Sequence, residues 1–360
     1  MSRSSLLSAI DAALANPEKT SGEAGAQAEA LLSDAGWLAG SSPAGGLVIG
    51  LDLGGTKLLG AIGTANGAIL LEREAPTESA ASGSALEQIS AMVEQLLVAG
   101  GISRPQIAQI VVGVPGVVAA DGSVSLSPHV RFPAGQSLAK ALIEATGLPV
   151  FVENDVNIAA YGEYLAQGDN GSGTLAFAAL GTGIGIGLIV DGCIVRGTHG
   201  AAGEIGTMPF GTDPLAAAAA HPGGAYEAAV STGGIMARYS QAGGQASSVR
   251  IIFERAEAGE PMAAKVIDAS LYNLAVGLGA VVALLDPGVI VLGGGIGARP
   301  GVAEQVSVWL GKLVQTPCRV SASQLGARAG VIGALAQARH LAKLALVATA
   351  EGEISEGAGR

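Results

Sequence analysis

A glycine-rich turn between two apolar segments occurs twice in this chain, once in each half. The first copy is Gly50-Leu51-Asp52-Leu53-Gly54-Gly55-Thr56-Lys57, and the second is Leu180-Gly181-Thr182-Gly183-Ile184-Gly185. Each reads as a strand, a tight turn and a returning strand. Two such hairpins, one per half, suit a grip on a nucleotide's phosphates from two sides. Phosphoryl transfer is therefore the leading reading.

The rest of the chain fits a duplicated plan. From Leu47, strands over 47–52 and 57–63 lead through the Asn66-Gly67 turn to a third strand, 68–74. A helix over 84–99, a strand over 109–114, a helix over 137–146, a short strand at 149–152 and a helix from Asp155 to about Gln167 follow. The second half reopens with strands over 174–180, 185–190 and 193–196. It continues with a long helix over 262–285, a strand over 289–292 ending in Gly293-Gly294-Gly295, and helices over 302–313 and 331–348. The tail from Glu351 reads as frayed. Each half thus begins as an antiparallel meander and continues as alternating helices and strands, a duplicated α/β architecture with a cleft between the halves. Residues 1–46 stand apart as two short amphipathic helical stretches and a Ser-Pro-Gly linker. The expected division is 1–46 extension, 47–155 first lobe, 156–330 second lobe, and 331–360 a closing helix and tail packed back on the first lobe.

Composition narrows the partners. With 360 residues and 49% apolar content the chain can bury two cores, and a net charge of −11 disfavours a polyanion over a broad surface. Nucleic-acid binding is thus disfavoured, although backbone N–H groups and metal ions can still hold ATP. The two cysteines, Cys193 and Cys318, are too few for a disulfide framework or a four-cysteine zinc site. No membrane-spanning run and no secretory signal is read, so a cytoplasmic location is expected.

Local chemistry supplies the candidates. Asp52 ends a strand; Gly54 and Gly55 expose backbone N–H groups; Thr56 offers a hydroxyl; and Asp52 suits Mg²⁺ held through water. The turn Gly181-Thr182-Gly183 matches it in the second half, and Gly293-Gly294-Gly295 suits an adenine or ribose lying on backbone. Each of these also serves as an ordinary turn. In Glu153-Asn154-Asp155 a carboxylate at a strand-to-helix junction can accept a hydroxyl proton, while Asn154 or Asp155 serves equally as a helix N-cap. Glu204 and Glu227 suit vicinal sugar hydroxyls, or are surface carboxylates.

Taken in order, these motifs resemble the ROK (repressor, open reading frame, kinase) family of bacterial sugar kinases and sugar-responsive repressors. The resemblance covers about 47–348. It rests on Asp52–Lys57, Gly113-Val114-Pro115-Gly116, Glu153–Asp155, Gly181–Gly185, Ala202-Gly203-Glu204-Ile205-Gly206 and Asp286–Gly295. It implies the actin-like (ribonuclease H-like) ATPase fold, with two lobes of mixed sheets flanked by helices and a cleft between them. It implies a glucokinase-like enzyme using ATP and Mg²⁺ on a hexose, with Asp155 as general base. Asn154, Glu204, Thr207 and Glu227 fall at sugar positions. Asp52, Gly54, Gly55, Thr56, Lys57, Gly181, Thr182, Gly183, Gly294 and Gly295 fall at nucleotide positions. Closure over the sugar would exclude water, and a homodimer or homotetramer is the family's habit.

Two departures stand out. Many members follow Glu-Ile-Gly with a histidine that touches sugar and binds a structural zinc; this chain has Thr207, and the accompanying cysteine cluster is replaced by Thr212-Asp213-Pro214, the alanines 216–220 and His221-Pro222-Gly223-Gly224. No structural zinc is expected, and His199 and His221 are the possible substitutes. Repressor members carry a DNA-binding module in front; residues 1–46 hold only Arg3 and Lys19 as basic residues, which disfavours one. The alternative kept open is a catalytically silent sugar sensor. A chaperone-like ATPase fits the 197–207 segment less well.

Overall fold

The computed structural model describes residues 46–357 except 66, 79–83, 128–129, 131, 133–135 and 168–172. The expected extension and linker over 1–45, and Asn66 of the expected turn, lie outside the described residues. The chain divides into two compact units, one of residues up to Gly162 plus Arg328 onward, the other Glu163–Ala327.

Unit 1 is built on a five-stranded sheet of order β3-β2-β1-β4-β7, from β1 (Leu47–Leu53), β2 (Lys57–Thr64), β3 (Ile69–Pro76), β4 (Ile107–Val114) and β7 (Val150–Asn154). Two-residue strands β5 (Val117–Val118) and β6 (Val124–Ser125) pair beside it. β1 runs antiparallel to β2 and parallel to β4, placing Asp52 opposite Leu59 and Gly113. Its near-continuous apolar run reflects burial on both faces. The helix Ala85–Gly100 packs on β2 and β3, with Ile89, Met92, Val93 and Leu96 turned inward and a capping box between Ser84 and Glu87 at its start.

The helix Ala329–Gly357 packs on β1, β4 and β2, and runs past the Ala348 end read from sequence, through the segment expected to fray. It meets the helix Asp155–Ala166 backbone to backbone. A Cβ at Gly333 would lie 1.9 Å from the Ile158 carbonyl oxygen, and one at Gly162 would lie 2.5 Å from that of Ala329. Both positions need glycine for that approach, which fixes the helix that Asp155 begins.

Unit 2 repeats the plan as β10-β9-β8-β11-β12, from β8 (Leu175–Leu180), β9 (Ile184–Val190), β10 (Cys193–Ile194), β11 (Val289–Gly293) and β12 (Arg319–Ala322). The hairpin β8–β9 is antiparallel and β11 is parallel to both β8 and β12, as in unit 1. The duplicated mixed α/β architecture is therefore present. β12 and the helices Pro214–Ala220, Ala225–Val230, Thr232–Gln241 and Val249–Glu257 were not read from sequence.

One reading needs correction. The helix Pro261–Leu285 is, by length and composition, long and apolar enough to cross a membrane. In the fold it is the central core helix of unit 2, burying Val266, Leu271, Leu274, Leu278 and Val282 among others.

Candidate active site

In unit 1 the sheet ends gather two carboxylates. Asp155 opens its helix directly after β7, and Asp52 lies near the end of β1. Gly113 of β4 sits beside both: a Cβ there would be 3.4 Å from Asp155 Cα and 3.6 Å from Asp52 Oδ1. The Asp52 carboxylate also rests on Gly330, where a Cβ would lie 2.1 Å from Oδ2. Burial, then the charge of Asp155, pushes the Asp52 carboxyl up to about 7, with Lys57 opposing. A cation fits such a pair. Among the described residues no group of three or more His, Cys, Asp or Glu could form a metal cage. One or two carboxylates with water and phosphate oxygens is how Mg²⁺ is ordinarily held.

The capping question at this junction resolves by geometry. Asn154 Oδ1 accepts the Asn157 backbone N–H at 2.9 Å and its Nδ2 donates to the Gly116 carbonyl at 3.0 Å, while Asp155 Oδ1 accepts the Val156 N–H. The N-cap role thus falls to Asn154. Buried Glu153 accepts from the Asn154 N–H and from Asn157 Nδ2, bracing the turn from below.

The first glycine turn closes through the Gly54 N–H to the Lys57 carbonyl at 2.9 Å, with Thr77 Oγ1 donating to the Gly54 carbonyl. Gly55 and Thr56 are exposed at its tip. Lys57 pairs with Glu74 at 2.9 Å in an exposed ion pair on the neighbouring strands.

In unit 2 the second turn closes through the Gly181 N–H to the Gly183 carbonyl, and Thr232 donates to the Gly181 carbonyl from both N–H and Oγ1. A Cβ on Gly181 would lie 3.7 Å from the Gly295 nitrogen. The two glycine turns read as nucleotide sites in this half therefore adjoin. Gly294, at φ +76°, packs against the Leu180 carbonyl at a distance only glycine allows.

Of the expected sugar carboxylates, Glu227 adjoins the same turn and Glu204 interacts with Glu227. Glu227 Oε2 accepts the Ile184 N–H at 3.2 Å. Burial, then the charge of Glu227, raises the Glu204 carboxyl above its ordinary range. Thr207 Oγ1 donates to the Glu204 carbonyl at 2.9 Å. His221 Nδ1 accepts the Gly223 N–H and lies 3.8 Å from Glu227 Oε1. His199 is exposed. Among the described residues, the Thr207–Glu227 segment with Asp213, His221 and Glu227 brings no group of three or more His, Cys, Asp or Glu together that could hold a zinc ion.

Sequence reasoning gave Gly113 and Gly116 a place in a motif but no role, and missed Gly330. Only the paired strands and the long helix 329–357 reveal that these backbones seat Asp52 and Asn154.

Residues 48–340 match the ROK family. The N-acetylmannosamine kinase of Shigella flexneri is 31% identical over 308 residues, covering 82% of this chain and 99% of that one. Among solved structures, the ROK hexokinase of Thermus thermophilus is 29% identical with a TM-score of 0.69, over 82% of this chain and 99% of that one. The ROK glucokinase of Streptomyces griseus, in complex with glucose and AMPPNP, is 26% identical with a TM-score of 0.65, over 82% and 100%.

Proposed function

This chain belongs to the ROK family, and on that premise we propose that it is an ATP-dependent sugar kinase acting on a hexose or an N-acetylhexosamine. The observation that carries the reading is Asp155, held at a strand-to-helix junction by the Asn154 cap and set beside Asp52. The sugar hydroxyl oxygen attacks the γ-phosphorus, the bond to the β-phosphate bridging oxygen breaks, ADP leaves, and the hydroxyl proton passes to the Asp155 carboxylate. The turns at 54–56 and 181–183 supply backbone N–H groups to phosphate oxygens, and the Gly294-Gly295 backbone lies under the nucleoside. Mg²⁺, carried with the nucleotide and held by Asp52 through water, would offset phosphate charge. Asn154, Glu204, Thr207 and Glu227 orient sugar hydroxyls.

Two sugars head the substrate list. Glucose follows from the glucokinase-like motif pattern, and N-acetylmannosamine from the kinase relative that matches over nearly its whole length. A coupled ADP-release assay over glucose, mannose, fructose, N-acetylmannosamine and N-acetylglucosamine tests the reading. ADP release that requires one of these sugars supports it, and release indifferent to all of them sinks it. The homo-oligomer and cytoplasmic setting expected from sequence remain part of this proposal.

Glu204→Ala is expected to raise KM for the sugar by about tenfold or more, the effect of a lost hydrogen bond to a charged group. Its KM for ATP should stay within about twofold of wild type. Steady-state kinetics with each substrate varied in turn checks this split. A change confined to the ATP term would remove Glu204 from the sugar site.

A further inference from the structure

The segment 206–227, where the family resemblance implies a structural zinc in many members, is held in this chain by contacts of its own. Gly224, at φ +94°, meets Gly206 and Thr207 backbone to backbone: a Cβ on it would lie 2.5 Å from both the Gly206 carbonyl oxygen and Thr207 Cα. Tyr226 is fully buried, donates its hydroxyl to the Leu274 carbonyl at 2.8 Å, and stacks tilted on Phe210 with centroids 5.3 Å apart. Its ring fills the space beside Gly277, where a Cβ would lie 2.2 Å away. The intervening residues form the helix Pro214–Ala220, capped by Asp213 through the Ala216 N–H, with proline at its first turn.

Glu227 ties this segment to the phosphate turn. Its carboxylate is pressed between two glycines: a Cβ at Gly183 would lie 2.3 Å from Oε2, and one at Gly223 would lie 1.7 Å from Oε1. Oε2 also accepts the Ile184 N–H, the first residue of β9 after the turn. His221 accepts the Gly223 N–H and so sets the backbone on the other side of the carboxylate.

We propose that residues 206–227 are set without zinc, by the Gly206–Gly224 interlock and the buried Tyr226, and that Glu227 is a strut through which this segment fixes the Gly181–Gly183 turn. Glu227 is then a positioning residue for the nucleotide as well as a neighbour of the sugar carboxylate Glu204. The strut rests on the kinase reading; the metal-free segment does not.

Two measurements separate the parts. Zinc content by elemental analysis, with thermal unfolding in chelator and in added zinc, tests the segment. Substoichiometric zinc and an unchanged Tm are expected; one zinc per chain together with a chelator-lowered Tm overturns it. Direct titration with the non-hydrolysable analogue AMPPNP tests the strut without requiring turnover. Glu227→Ala should weaken nucleotide binding by about tenfold, about the effect of one hydrogen bond to a charged group. Glu227→Gln, whose amide oxygen still accepts the Ile184 N–H, should recover most of that loss. Wild-type nucleotide affinity in Glu227→Ala overturns the strut. No nucleotide binding by the wild-type chain overturns the strut and the kinase reading together, and leaves the zinc measurement standing on its own.

Discussion

Asp155→Asn is expected to lower kcat for sugar phosphorylation by about 10²- to 10⁴-fold, the usual contribution of a positioned general base. The substitution is nearly isosteric, and the junction that holds residue 155 is braced independently. Asn154 caps the helix through the Asn157 N–H, Glu153 supports the turn, and Gly162 locks the helix against Gly333. The fold and nucleotide affinity should therefore survive, and the loss should fall on kcat rather than KM. Removing the Asp155 charge also removes one of the causes that raise the Asp52 carboxyl. The variant should accordingly show an Asp52 titration shifted down toward the ordinary carboxylate range. Kinetics with each substrate varied, alongside unfolding curves across pH, reads both effects. Near wild-type kcat would remove Asp155 from the role of base.

Asp52→Asn is expected to make the protein more stable at alkaline pH while impairing the enzyme. In the folded chain the Asp52 carboxyl is raised from 3.8 to about 7, chiefly by burial. Between those values the folded state holds a proton that the unfolded state has released, so stability falls as pH rises. The contribution is fully present below about 4, declines across the interval, and is lost once pH passes about 7. A rise of about three units, at about 1.36 kcal/mol each, sets a ceiling of about 4 kcal/mol on the penalty at pH 8. An amide of the same shape never ionises and escapes that penalty. Denaturant unfolding should therefore find the variant more stable than wild type at pH 8, with the gap narrowing toward pH 4. A gap independent of pH would mean that Asp52 ionises normally. Stability gained at the expense of activity is what a buried functional carboxylate is expected to give.

The duplicated α/β plan was legible because its central strands carry unmistakable patterns. β1, β8 and β11 are apolar runs buried on both faces and stopped by glycine. β12 escaped because Arg319–Ala322 is a four-residue edge strand with exposed ends and no run long enough to show a period. The helix Thr232–Gln241 escaped because two glycines follow its first residue; the Ser231 cap and the packing of Ile235 and Tyr239 outweigh that local weakness.

At the site, Asp155 and the two glycine turns could be read from motif order, but their seating could not. The contact of Asp52 with Gly330 joins positions far apart in the chain. The pairing of Lys57 with Glu74 depends on the β2–β3 register. Glu163 reads as an ordinary helical glutamate, yet it is fully buried and accepts from Ser323 Oγ and from the Gln324 and Leu325 N–H groups. Such partners are supplied by tertiary structure, and a linear pattern carries no trace of them.

The most direct test of the central claim is to identify where the phosphoryl group goes. The wild-type chain would be incubated with Mg-ATP and each sugar of the panel, and the products resolved by mass spectrometry with ADP quantified in parallel. A sugar monophosphate formed in equal amount with ADP, and absent with Asp155→Asn, is the predicted result. ADP formed without any sugar monophosphate, or no ADP with any sugar, would contradict the kinase account.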